Sequence, residues 1–272
     1  MTRWWINGEL VAGDDAHLSV DDHGLTVGDG CFETTPIVRG TPFAMRRHLA
    51  RLRHSLAGLG IELATTDDEL RQACQQVADA NPEASIIRLT VTAGAGPLGS
   101  GRGEGPPTVM IGAAPSRGWD ATAAVVTVPW PRNERGALAG IKSTSYAENV
   151  VALAHAKQRS ASEAIFPNTL GQLCEGTGTN IVVEHNGRLV TPTLASGCLA
   201  GVTRALVIET SDVDELDMPI EVLETTSEAF LTSSTRDVMP IVKIDERALE
   251  PGPLTAVAAT ALAELMATDL DP

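Results

Sequence analysis

Ala139-Gly-Ile-Lys142-Ser-Thr-Ser-Tyr146 and, further along, Leu173-Cys-Glu175-Gly-Thr-Gly-Thr-Asn180-Ile-Val182 are the stretches on which the reading of this chain turns. The lysine follows an apolar run, Leu138-Ala-Gly-Ile141, and is flanked by small residues. Surroundings of that kind desolvate an amine, favour its neutral form and make it a nucleophile. Taken alone, the same lysine also reads as a surface residue near a helix start. Glu175 closes an apolar run and is followed by small residues that would let a flat ligand approach closely; alone, it is an ordinary acid at a strand end. A third stretch, Gly197-Cys-Leu199-Ala-Gly201-Val202-Thr203-Arg204, is a glycine-led entry into an apolar helix. Helix starts leave backbone N–H groups unpaired and favour an anion, although a plain threonine cap looks the same in sequence.

The bulk of the chain sets the frame. It has 272 residues, more than one core usually serves, so two unequal domains are expected. A hydrophobic content of 43% suffices for an ordinary interior. A formal net charge of −15 argues against nucleic acid or an anionic membrane as partner. The start, Met-Thr-Arg-Trp-Trp-Ile, has no apolar signal core, and the longest charge-free runs are shorter than a membrane span. Cys31, Cys74, Cys174 and Cys198 lack paired spacing and are expected as reduced thiols of a cytoplasmic protein. The histidines show no spacing for a metal, and none is expected.

Local signals give the elements. Asn7-Gly8 and Asn186-Gly187 sit between apolar runs, the strongest short hairpin signal. A second hairpin is expected for Cys31–Val38 and Pro42–Met45. Apolar residues at helical spacing predict helices over Arg46–Leu59, ended by Gly60, and over Asp67–Ala80. Ile86–Thr92 and Thr108–Ala113 read as strands. Pro115-Ser-Arg-Gly-Trp-Asp120 has linker composition, so the predicted division is 1–114, a linker at 115–120, and 121–272. Beyond it, strands are expected at Ala123–Val128, Ala164–Phe166, Gly171–Cys174, Asn180–Glu184, Arg188–Thr191, Ile220–Thr225, Ala229–Thr232 and Val238–Ile244. Helices are expected at Tyr146–Arg159, Val202–Thr210 and Leu254–Ala267. Hairpins dominate and strict alternation is missing, which predicts an α+β arrangement with largely antiparallel sheets.

The three chemical motifs, in this order and with His48-Leu-Ala-Arg51-Leu52 after Val27-Gly-Asp-Gly-Cys-Phe-Glu33, resemble the class IV pyridoxal phosphate enzymes: D-amino acid and (R)-amine transaminases, branched-chain aminotransferases and aminodeoxychorismate lyases. The resemblance runs from about Trp4 to about Pro240. It implies the two-domain fold type IV, with a small N-terminal α/β domain, a larger C-terminal domain and the cofactor at their interface, usually in a homodimer. It implies that Lys142 carries pyridoxal 5′-phosphate as a Schiff base and shuttles the proton at Cα. Glu175 would keep the ring nitrogen protonated, so that the ring accepts electrons. Leu199 would lie against the ring, with Thr179 and Asn180 in the small-residue segment beside it. Gly201, Val202 and Thr203 would offer the phosphate a helix start, Arg51 a guanidinium fork, and Ser234 or Thr235 a hydroxyl, where a polar turn is the plain alternative.

At the substrate end the chain departs from the D-amino acid transaminases it resembles. Phe32 stands where those enzymes carry a tyrosine, and in Gly94-Ala-Gly-Pro-Leu98-Gly-Ser100-Gly-Arg102-Gly103 Leu98 and Ser100 fall near the expected arginine and histidine. Arg102 remains the local cation, and Tyr146 joins the substrate candidates. The resemblance implies first a ping-pong transaminase passing an amino group from D-amino acids or (R)-amines to a 2-keto acid. The lyase, releasing pyruvate and 4-aminobenzoate, comes second, and a branched-chain L-amino acid enzyme third.

Overall fold

Asn7 and Gly8 both take positive φ, 48° and 106°, the geometry a two-residue hairpin requires. They join β1 (Arg3–Ile6) to β2 (Glu9–Ala12). With β3 (Gly30–Val38), β4 (Thr41–Pro42), β5 (Ile86–Thr92) and β6 (Thr108–Ala114) these strands form a sheet of order β2-β1-β6-β5-β3-β4, antiparallel throughout. The computed structural model describes residues 2–116 and 118–272. The chain divides into two units: Met1–Arg117 with Ile141–Tyr146 and Asp269–Pro272, and Gly118–Gly140 with Ala147–Thr268. Arg117, inside the expected linker, lies outside the described residues.

In the first unit, residues of odd number on β3, β5 and β6 (Cys31, Ile87, Leu89, Val91, Val109, Ile111) point to one face and build the core with α2 (Met45–Leu59) and α3 (Asp67–Ala80). A short α1 (His23–Thr26) precedes β3. Local chemistry sets the helix ends. Thr66 and Glu69 form a capping box at the start of α3, and Gly60 ends α2 at φ 65°. Two distant segments complete the unit. Residues 141–144 add to the edge of β3 that β4 leaves uncovered: Phe32 N–H donates to the Lys142 carbonyl at 3.0 Å and Thr144 N–H to the Gly30 carbonyl at 2.8 Å. Residues 269–272 lie at the start of α2. A division at one linear boundary does not anticipate either placement, because both rest on pairing between segments far apart in sequence.

The second unit holds a sheet of order β12-β11-β10-β13-β14-β7-β8-β9, with β15 (Arg247–Ala248) on β14. Its strands are β7 (Ala123–Thr127), β8 (Glu163–Pro167), β9 (Leu173–Gly176), β10 (Asn180–His185), β11 (Arg188–Thr191), β12 (Val213–Glu215), β13 (Ala229–Ser233) and β14 (Asp237–Ile244). The pairs β7–β8, β7–β14 and β11–β12 are parallel and the others antiparallel. Helices α4 (Ala147–Lys157), α5 (Val202–Thr210) and α7 (Pro253–Thr268) accompany it, with a single-turn α6 at Val222–Thr225. The α6 turn corrects the strand expected at Ile220–Thr225. β-Branched residues suggested extension, but Val222 and Leu223 are adjacent and both buried, and Thr226 N–H returns to the Val222 carbonyl at 2.9 Å. All four cysteines are buried and free. Among the described residues no helix is long and apolar enough to cross a membrane.

Candidate active site

The N-terminal unit carries the lysine. Its segment is pinned at the backbone, with Lys142 N–H donating to Ser55 Oγ on α2 at 3.2 Å and its carbonyl accepting from Phe32. The side chain reaches the aromatic of β3, with Nζ 4.5 Å from the Phe32 ring centroid. Tyr146 meets the same ring edge-on at 5.2 Å between centroids. An arginine not singled out from the sequence lies over the same ring. Arg88 on β5 places Cζ 3.6 Å from the Phe32 centroid. It is an exposed cation amid the buried Ile87, Leu89 and Thr90. The sequence signal was present: a lone arginine in Ile86-Ile-Arg-Leu-Thr-Val-Thr92, a strand that otherwise needs no charge.

Arg51 lies one turn before Ser55 on α2. Its Nε and Nη2 donate to the two oxygens of Glu33, at 2.9 and 2.6 Å, and His48 Nδ1 sits 2.7 Å from the same carboxylate. Glu33 is 3% exposed. Burial raises its pKa, but the Arg51 charge and the hydrogen bonds from Arg51 and His48 outweigh that and hold it down to about 2. Burial, opposed by the hydrogen bond with Glu33, lowers that of His48. The fork of Arg51 is therefore fixed in direction by an ionised carboxylate beneath it.

The glycine-rich loop behaves differently from expectation. Arg102 Nε and Nη2 donate to both oxygens of Asp29 at 2.7 Å, and Nη1 and Nη2 donate to the carbonyls of Gly60 and Leu59. Its fork is thus consumed in tying the loop down. Leu98 is 83% exposed and Ser100 is exposed too.

The C-terminal unit gathers the other expected residues around the start of β10. Glu175, the third residue of β9, accepts the Leu199 N–H on Oε2 at 2.9 Å, and Arg132 Nε lies 3.3 Å from its Oε1. Arg132, also missed in sequence, is itself held by Glu148 at 2.5 Å and by Asn149, and its Cζ sits 4.0 Å from the Phe166 ring centroid. Asn180 Nδ2 donates to the Leu199 carbonyl at 2.9 Å. A Cβ at Gly201 would stand 2.0 Å from Asn180 Oδ1, so only glycine allows this approach. Gly201 then starts α5, whose first turn brings in the buried Val202 and Thr203. Asn180 pairs with Thr232 on β13, which leads directly into Ser233, Ser234 and Thr235. Thr232 Oγ1 is buried with no hydrogen-bond partner. Thr179 bonds to Glu163 through its hydroxyl at 3.3 Å.

The class IV aminotransferase family model matches residues 30–244. The chain belongs to the class IV aminotransferases. Relatives of this class IV aminotransferase include a Methanocaldococcus jannaschii protein provisionally named as a branched-chain-amino-acid aminotransferase, 34% identical over 90% of this chain and 88% of its own. The D-alanine aminotransferase of Bacillus licheniformis is 28% identical, covering 94% of each chain. The aminodeoxychorismate lyase of Bacillus subtilis is 28% identical over 89% of this chain and 86% of its own. A branched-chain aminotransferase from T.th., solved with N-(5′-phosphopyridoxyl)-L-glutamate, superposes with a TM-score of 0.89 at 26% identity, over 97% of this chain and 93% of that one.

Class IV aminotransferases use pyridoxal 5′-phosphate, and the donor set of this chain fits it. A lysine amine lies beside an aromatic ring, and a carboxylate is steadied by a cation. The start of α5 adjoins a hydroxyl run and an unsatisfied buried threonine, Thr232, and that chemistry suits a phosphate.

Proposed function

We propose that this enzyme transfers the amino group of apolar α-amino acids, branched-chain L-amino acids first, to a 2-keto acid, and that Arg88 receives the substrate carboxylate. The observation that carries the proposal is the shared ring: the Arg88 guanidinium and the Lys142 amine both lie against Phe32. A carboxylate drawn to that guanidinium would be held at the ring that the Lys142 amine also borders, and a charge-assisted contact of this kind contributes about 1.5–3 kcal/mol. The glycine-rich loop offers no comparable group, since Arg102 is spent on Asp29.

The cofactor, when bound, supplies an electrophilic aldehyde and an electron-accepting ring. Lys142 would hold it covalently and would carry the proton to and from the substrate Cα. Glu175, backed by Arg132, would keep the ring nitrogen protonated. In the C-terminal unit the α5 start, Thr203, Ser234 and Thr235 would receive the phosphate, with Leu199, Thr179 and Asn180 toward the ring; in the N-terminal unit Arg51 is the candidate for the same group. Phe32 and Tyr146 shape the substrate side.

D-Amino acids and (R)-amines form the second reading. The likeness to a D-alanine aminotransferase along nearly the full length of both chains favours it, and the tied-down loop counts against it. Half-reactions monitored through the cofactor chromophore separate the possibilities. L-Leucine, L-isoleucine and L-valine are expected to convert it to the pyridoxamine form. Conversion by D-alanine or (R)-amines alone replaces the first reading with the second, and pyruvate release from aminodeoxychorismate without such conversion assigns a lyase.

A further inference from the structure

Two polar loops of the C-terminal unit are joined from beneath by one carboxylate. Glu163, the first residue of β8, is 0% exposed. Its Oε1 accepts the N–H of Thr177 and of Ala164, each at 3.0 Å, and the Thr177 hydroxyl. Its Oε2 accepts the Thr179 hydroxyl and lies 3.1 Å from Arg236 Nη2. The Arg236 side chain is 5% exposed, its Cζ stacks 3.8 Å from the Trp119 ring centroid, and its Nη1 is buried with no hydrogen-bond partner.

Neither end of this pair sits in an indifferent place. On one side, Glu163 fixes the loop that follows Glu175, where a Cβ on Gly176 would fall 2.2 Å from Thr179 Oγ1. On the other, Ser233 pairs with Asp237, so that Ser234, Thr235 and Arg236 form the tip of the β13–β14 hairpin. Asp237 there takes φ 52°, a left-handed conformation that aspartate tolerates better than most residues and that closes the turn. Arg236 folds back from that tip to Glu163, so its anchorage decides where the Ser234 and Thr235 hydroxyls stand. A buried ion pair is a poor way to add stability, because desolvation cancels much of the attraction. It is a good way to fix geometry, since the planar guanidinium is held at one edge by Glu163 and on its face by the Trp119 ring.

We infer that Arg236 is a positioning residue for the phosphate end of the cofactor, holding the Ser234–Thr235 tip in register with the Thr177–Thr179 loop through Glu163. The inference rests on the phosphate cradle proposed above. Arg236 acts through the tip and not by contact, and what it governs is affinity for a phosphate monoester, not for the ring.

The test compares two ligands that differ only in the phosphate. Apo forms of the wild type, Arg236→Lys, Arg236→Met and the pair Glu163→Gln/Arg236→Met are titrated with pyridoxal 5′-phosphate and with pyridoxal. Each adduct is then trapped by borohydride and located by mass spectrometry. For Arg236→Met, affinity for pyridoxal 5′-phosphate is expected to fall about tenfold or more while affinity for pyridoxal holds, with Arg236→Lys in between. Should Arg236→Met fail to fold, the double variant, which removes both buried charges, is expected to fold and to show the same lost preference. Equal losses for both ligands, or a lower apo melting temperature with the preference intact, overturn the inference and leave the site assignment standing. A wild-type adduct on a residue other than Lys142, or none, overturns the site assignment and this inference with it.

Discussion

Asp271 caps the helix that carries Arg51: its Oδ1 accepts the N–H of Arg46 at 2.8 Å. The position before that helix is Ala44, held at φ 53° and offering no side-chain cap. The missing cap is supplied from the far end of the chain, with the Leu270 carbonyl accepting from Ala44 N–H and Asp271 Oδ2 pairing with Arg71, both at 2.8 Å. A carboxylate at a helix start satisfies an orphan donor and complements the dipole. Asp271→Ala is therefore expected to cost about 1 kcal/mol, read as a lower denaturation midpoint at unchanged slope.

Below neutrality the Glu33–His48–Arg51 cluster is expected to lose stability in two stages. His48 has a folded pKa below its ordinary 6.5, so the unfolded chain binds its proton first. That contribution is present above 6.5 and begins to fade as pH falls below it. Glu33 is depressed from 4.5 to about 2, so its contribution, on the order of 3 kcal/mol, is full above about 4.5 and is lost as pH falls toward 2. Urea midpoints followed from pH 8 to pH 3 should show both stages, and His48→Gln should remove only the first.

Glu175→Gln keeps the shape of the side chain and removes its charge, leaving Arg132 Nε beside a neutral amide. The variant is expected to form the borohydride-trapped adduct on Lys142 as the wild type does, while turnover falls about a hundredfold or more. Unchanged turnover would contradict the assigned role.

Arg88→Gln tests the carboxylate anchor. Phe32 and Lys142 keep their backbone pairing, so cofactor loading should match the wild type. KM for both the amino acid and the keto acid should rise about tenfold or more. An amine lacking a carboxylate should be indifferent to the change, which separates a lost anchor from general damage.

What was legible in the sequence was local. Asn7-Gly8 and Asn186-Gly187 set their hairpins by backbone preference alone, the capping box at Thr66 and Glu69 set a helix start, and α5 begins and ends where its apolar pattern does. The polar Val213–Glu215 strand escaped notice because it lies at the sheet edge on β11 and carries no alternation. Lys142, Glu175 and Arg51 could be singled out by motif, Arg51 through His48-Leu-Ala-Arg51-Leu52 and against the plain alternative of a solvated helix face. Arg132 and Arg236 could not, since each matters through a partner far along the chain, Glu175 and Glu163; Arg88, whose partner Phe32 is also distant, left only the mark of a lone charge in its strand. Arg102 misled for the same reason, because its engagement with Asp29 depends on a loop folding back across distant sequence.

Lys142 reaches its place by strand-like addition to the margin of β3, opposite Cys31 and Phe32. Along an extended segment neighbouring side chains project to opposite sides. A single-residue insertion or deletion that slides this segment by one position would thus swap the nucleophile for Ile141 or Ser143, whereas a shift of two preserves sidedness. Length variation just upstream of the amine is therefore quantised by parity, a constraint that neither a helix nor a free loop would have imposed.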